Sequence, residues 1–155
     1  MRKYPDKILR EKCQPVEEIT STEKDIFINM LFTMKYFRGI GLAAPQVGIL
    51  RNLIVIDIGE GIIKLANPKV IKKKGEKEME GCLSIPGTGV SVKRSYEIGV
   101  EALNQEGKLI EVKAKGLLAR VLQHKIDYLE GKLIVDYLPF LEKIKFRLRE
   151  EIDNS

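Results

Sequence analysis

A chain of 155 residues, 44% hydrophobic and 32% charged, can close one core, is too short for two comfortable domains, and is too apolar to remain disordered. Its net charge of +5 is mild, and glutamates interleave with the basic clusters Lys72-Lys73-Lys74 and Lys143 to Arg149, so neither reads as a phosphate-binding stripe. Few aromatic residues accompany those lysines, which argues against a sequence-specific nucleic-acid surface, and no apolar run approaches a membrane span.

The N-terminus, Met1 to Arg10, is charged and contains Pro5, unlike a secretory signal. Cys13 and Cys82 then read as free thiols of a cytoplasmic protein rather than as a disulfide. Thr20 or Thr22 can cap a first helix running to about Arg38, with Thr20 and Glu23 in capping-box spacing. Ile26, Phe27, Met30, Leu31, Met34 and Phe37 form its apolar stripe, and Gly39 stands where a left-handed stop residue belongs. A Gly- and Ala-rich stretch, Gly39 to Gly48, leads into a strongly apolar strand, Leu53–Ile58. Gly59-Glu60-Gly61 turns the chain into Ile62–Leu65, and Val70–Lys74, Val90–Lys93, Ile98–Leu103 and Leu109–Ala114 follow as further strands. Asn104-Gln105-Glu106-Gly107 joins the last two.

Gly116 precedes a helix, Leu117–Leu129, with Leu118, Val121, Leu122, Ile126 and Leu129 on its buried side. After Pro139 comes a final amphipathic helix from about Leu141 to Glu151. The expected fold is α+β: one domain over 1–155, with short antiparallel strands around a central helix and further helices at both ends.

Three segments carry possible chemistry. In Gly39-Ile40-Gly41-Leu42-Ala43-Ala44-Pro45-Gln46, tight packing alone explains the glycines, but Gln46 adds an amide that can donate to an oxygen. In Glu80-Gly81-Cys82-Leu83-Ser84, a lone cysteine is ordinarily a small buried hydrophobe, whereas Gly81 and Ser84 suggest a shaped turn exposing the sulfur and the Leu83 amide. The third is His124, the one histidine in the chain, which by itself says little.

Together and in this order, the segments closely resemble the peptide deformylase family, whose motifs are Gly-x-Gly-Leu-Ala-Ala-x-Gln, Glu-Gly-Cys-Leu-Ser and Gln-His-Glu-x-x-His. The first two are matched in full at 39–46 and 80–84, and Tyr4-Pro5-Asp6, Asn67-Pro68 and Asp136-Tyr137-Leu138 extend the resemblance over roughly residues 1–140. The resemblance implies removal of the formyl group from the formyl-methionine of nascent chains by Fe(II), Zn(II) or another divalent metal. It implies Cys82 and His124 as metal ligands, with Gln46 and the Leu83 amide stabilising the oxyanion. Ile40, Gly41 and Gly81 would bind the substrate. Glu80 and Arg94 could pair behind the metal ligands, or form a plain structural salt bridge. The implied partners are nascent N-terminal peptides and the ribosome.

The third motif departs from the family. Lys125 stands at the position of the general base, and Tyr128 at that of the second histidine. A lysine cannot accept a proton near neutrality unless desolvation lowers its pKa by several units, and losing such a base costs about a hundred- to ten-thousand-fold in rate. A phenol must ionise to bind metal, a step that neighbouring Lys125 could ease. Asp127 points roughly 100° away around the helix and is a weaker substitute. The favoured reading is a deformylase-like protein that keeps the peptide cleft with lost or strongly reduced deformylation, holding Fe(II), Zn(II) or another divalent metal if its site is occupied at all, or none. Two alternatives stand beside it: an active deformylase with an altered site of Cys82, His124 and Tyr128, and a non-catalytic module for nascent chains or a protein partner.

Overall fold

The computed structural model describes residues 7–78 and 94–132. Among these, five antiparallel strands lie in one sheet in chain order: β1 (Gly41–Ala43), β2 (Leu53–Asp57), β3 (Ile62–Glu78), β4 (Arg94–Leu103) and β5 (Leu109–Lys115). Helix α1 (Ser21–Tyr36) precedes the sheet and α2 (Gly116–Leu129) follows it. The architecture is α+β, as the sequence predicts. The expected strand Val90–Lys93 and the final helix from Leu141 lie outside the described residues.

Helix α1 starts where the capping box requires. The Thr20 hydroxyl accepts from Thr22 N, and the Glu23 carboxylate accepts from Thr20 N at 2.9 Å. Glu23 is also paired with Arg51 at 2.7 Å, which fastens the helix start to the segment before β2. Phe27, Met30 and Met34 are buried against Leu42, Leu53, Val55 and Ala66, so the methionines are core residues. Phe37 is 47% exposed instead of closing the stripe, because it is the cap residue and the chain has left helical register there.

The stop also differs from expectation. The left-handed residue is Arg38 (φ 56), not Gly39. Gly39 N donates to Met34 O and Arg38 N to Lys35 O, a Schellman closure that places the left-handed position one residue earlier.

Strand β2 explains its own composition. Leu53 and Val55 face the α1 side while Ile54 and Ile56 face the α2 side, so alternation buries every one of them. Strand β3 corrects the sequence reading, which ends one strand at Leu65 and begins another at Val70. It is continuous, with shifts in its pairing to β4 between Ala66 and Lys69, between Val70 and Lys72, and between Lys74 and Lys77. Pro68 falls inside the first shift, where its missing N–H interrupts the ladder without ending it. Asn67 takes a left-handed φ of 52 and clamps the N-terminal segment, accepting from Val16 N at 2.7 Å and donating to Val16 O at 2.6 Å.

Helix α2 lies on the opposite face of the sheet from α1. Val121, Leu122, Ile126 and Leu129 pack with Ile54, Ile56, Leu65, Ile98, Val100 and Ala114, and every residue from Val121 to Ile126 is buried. Leu118, expected in the core, is half-buried at its margin. Gln123 spends its amide on the sheet: its Oε1 accepts from Ser95 N at 3.1 Å, and its Nε2 donates to Ser95 O at 2.9 Å.

Candidate functional site

The site lies where edge strand β1 meets α2. Gly41 permits that approach: a Cβ there would stand 2.7 Å from Val121 Cγ1 and 3.1 Å from Lys125 Cε. Ile40, just before the strand, is exposed. After β1 the chain makes a 3-10 turn, Ala44–Val47, entered through Pro45. The turn folds Gln46 back so that its Oε1 accepts from Ala43 N at 2.9 Å.

The same oxygen receives Lys125. Its Nζ donates to Gln46 Oε1 at 3.2 Å, joining the middle of α2 to the turn after β1. Lys125 is only 8% exposed, and among the described residues no carboxylate pairs with it. Burial lowers its pKa from the ordinary 10.5 to about 8. That shift leaves the ammonium as the main form at neutral pH, so the group acts chiefly as a donor and not as a base.

Tyr128 lies one turn further along. Its ring centroid is 5.1 Å from Lys125 Nζ, within cation–π range, and 5.0 Å from the centroid of the buried His124 ring. Burial pushes the Tyr128 phenol above its ordinary pKa. The cause is desolvation, so burial works against the ionisation that Lys125 is expected to ease. Asp127 is half-buried.

The structure thus brings together Gly41, Gln46, His124, Lys125 and Tyr128. Gly81, Cys82 and Leu83, with Glu80, lie outside the described residues, and of Arg94 only the backbone is described. Two contributors carry too little local signal to single out. Val121 reads as one more core residue, yet it is the atom-level reason for Gly41. Gln123 reads as part of a motif, yet its double bond to Ser95 fixes the turn of helix that carries His124 and Lys125.

The pattern of the polypeptide deformylase family matches residues 1–143. The chain belongs to the peptide deformylase family. It is 52% identical over 130 residues to a peptide deformylase of Desulfitobacterium hafniense, spanning 83% of this chain and 87% of that one. A peptide deformylase of Caldanaerobacter subterraneus subsp. tengcongensis is 47% identical over 154 residues, spanning 99% of this chain and 94% of the relative. The crystal structure of a peptide deformylase from Legionella pneumophila superimposes with a TM-score of 0.84 at 39% identity, covering 97% of this chain and 92% of that one. A peptide deformylase from Synechococcus elongatus, solved in complex with actinonin, gives 0.80 at 41% identity, covering 91% and 79%. The family membership agrees with the antiparallel sheet and the two helices of this deformylase-like fold.

Proposed function

We propose that this peptide deformylase-family protein keeps a cleft for the N-formyl-methionyl ends of nascent chains but has lost, or nearly lost, metal-dependent deformylation. Deformylases use a divalent metal, and the residues described around His124 do not fit one in the ordinary way. The observation that carries the reading is Lys125 Nζ, buried at the family's base position and bonded to Gln46 Oε1 at 3.2 Å. An ammonium there opposes a divalent cation, and with its pKa lowered to about 8 the group is mostly protonated at neutral pH and a weaker proton acceptor than a carboxylate. Tyr128 compounds the loss, because a phenol held above its ordinary pKa by burial is a poor ligand. With Cys82 and His124 as the remaining family ligands, two protein groups are too few for a catalytic metal site.

Metal binding tests this directly. Titrating anaerobically purified protein with Fe(II) or Zn(II) should give weak, non-stoichiometric binding. The double variant Lys125→Glu, Tyr128→His should take up one equivalent tightly. Tight stoichiometric uptake by the natural protein would instead support deformylation through Cys82, His124 and Tyr128.

A further inference from the structure

Helix α1 is apolar on two faces. Phe27, Met30 and Met34 are buried against the sheet, whereas Ile28, Phe32 and Tyr36 stand on the other side, 59%, 75% and 75% exposed. Their spacing of four residues places them in one ridge along the helix, a turn apart. Phe37 extends the ridge: its ring meets that of Tyr36 edge to face, with centroids 5.1 Å apart. Scattered exposed hydrophobic residues are ordinary, but a contiguous ridge of this kind marks a contact surface. At these exposures the four side chains leave roughly 500 Å² in water.

We propose that the chain forms a two-fold homodimer through this outer face of α1, with Phe32 at its centre. A stable interface takes about 800 Å² from each partner, a little over half of it apolar, and the ridge supplies that apolar share by itself. A two-fold contact also requires a surface that fits its own copy. A single ridge does so when two copies of α1 pair antiparallel. Phe32 then meets Phe32 on the axis, and Ile28 meets Tyr36 of the second copy on either side. The same pairing brings Asp25, near the helix start, to the end of the second helix, which carries Lys35 and Arg38, with the helix dipoles opposed. Lys24 shares that end with Asp25, so charge adds little and the apolar ridge carries the contact. Helix α1 lies on the opposite face of the sheet from α2, so the dimer does not depend on whether the site beside α2 retains any chemistry.

Sedimentation velocity of the full chain from about 1 to about 100 μM tests this. The 17.6 kDa chain should sediment at twice that mass toward the upper concentration. Phe32→Glu places two carboxylates on the axis and should stay monomeric throughout. Phe32→Ala should weaken dimerisation at least about tenfold, because each dimer loses two central rings. Phe32 packs mostly against water in the monomer, so both variants should fold, which their circular dichroism spectra check. Leu117→Glu, an exposed apolar position on α2, should leave the dimer intact. A natural protein that is monomeric at every concentration overturns the proposal; if that monomer co-sediments with phosphatidylglycerol vesicles, the ridge serves a lipid surface instead. A dimer that survives Phe32→Glu, or one that Leu117→Glu dissociates equally, overturns it too, since its interface is not the α1 ridge.

Discussion

Lys125 Nζ and Gln46 Oε1 stand 3.2 Å apart although 79 residues separate them in the chain. One hydrogen bond thereby ties the centre of α2 to the 3-10 turn behind the edge strand. It joins a loop that matches the deformylase motif in full to a residue that departs from the motif. The contact turns an altered motif into a specific physical arrangement: two donors directed onto one glutamine oxygen, beside the aromatic face of Tyr128.

Stability should carry a signature of the buried lysine. Burial holds Lys125 at about 8 against an ordinary 10.5. With the folded pKa depressed, the cost of burying the ammonium is present in full below about pH 8. It eases as pH rises toward 10.5, because there the unfolded chain retains a proton that the folded chain has released. Relative to Lys125→Met, the natural protein should gain about 1 to 3 kcal/mol between roughly pH 7 and pH 10. Urea unfolding of both proteins across that range checks the sign. A stability difference that stays flat with pH would mean Lys125 titrates normally in the folded state.

Gly41 should tolerate no side chain while Val121 is present. A Cβ would sit 2.7 Å from Val121 Cγ1, so Gly41→Ala forces strand and helix apart and should cost about 1 to 3 kcal/mol. Adding Val121→Ala should recover part of that loss. The recovery, read from a double-mutant cycle of unfolding free energies, distinguishes this clash from a general weakness of β1.

Asn67 should be worth more than its place in an interrupted strand suggests. Replacing it with alanine removes both bonds to Val16 and puts a Cβ-bearing residue without local polar support at φ 52. The expected loss is about 2 to 4 kcal/mol. Asn67→Gly keeps the backbone conformation while losing the same bonds, and should lie between the two in melting temperature.

Much of this arrangement is legible in the sequence, and the exceptions are instructive. Thr20 and Glu23 mark the start of α1 because capping is local chemistry, and the two-sided burial of Leu53 to Ile56 follows from an unbroken apolar run. The strand across Asn67-Pro68 is hidden because both residues are local breakers. What keeps β3 continuous is pairing with β4 and the clamp on Val16, and both are long-range. Position 38 likewise gives no sign of a left-handed arginine, since the adjacent glycine satisfies the usual rule. The identities at Lys125 and Tyr128 announce a changed site, but not that Lys125 folds onto Gln46 or that burial raises the Tyr128 phenol. Those depend on how closely β1 approaches α2.

In the proposed function, Lys125 and Tyr128 switch off the chemistry of a deformylase scaffold. That reading is tested most directly by deformylation of a short formyl-Met peptide under anaerobic conditions with Fe(II). The natural protein would be assayed beside the double variant Lys125→Glu, Tyr128→His. The account predicts turnover by the double variant and a rate at least about a hundredfold lower for the natural protein. Comparable turnover by both would contradict it, and would require a base and a third ligand elsewhere in the chain.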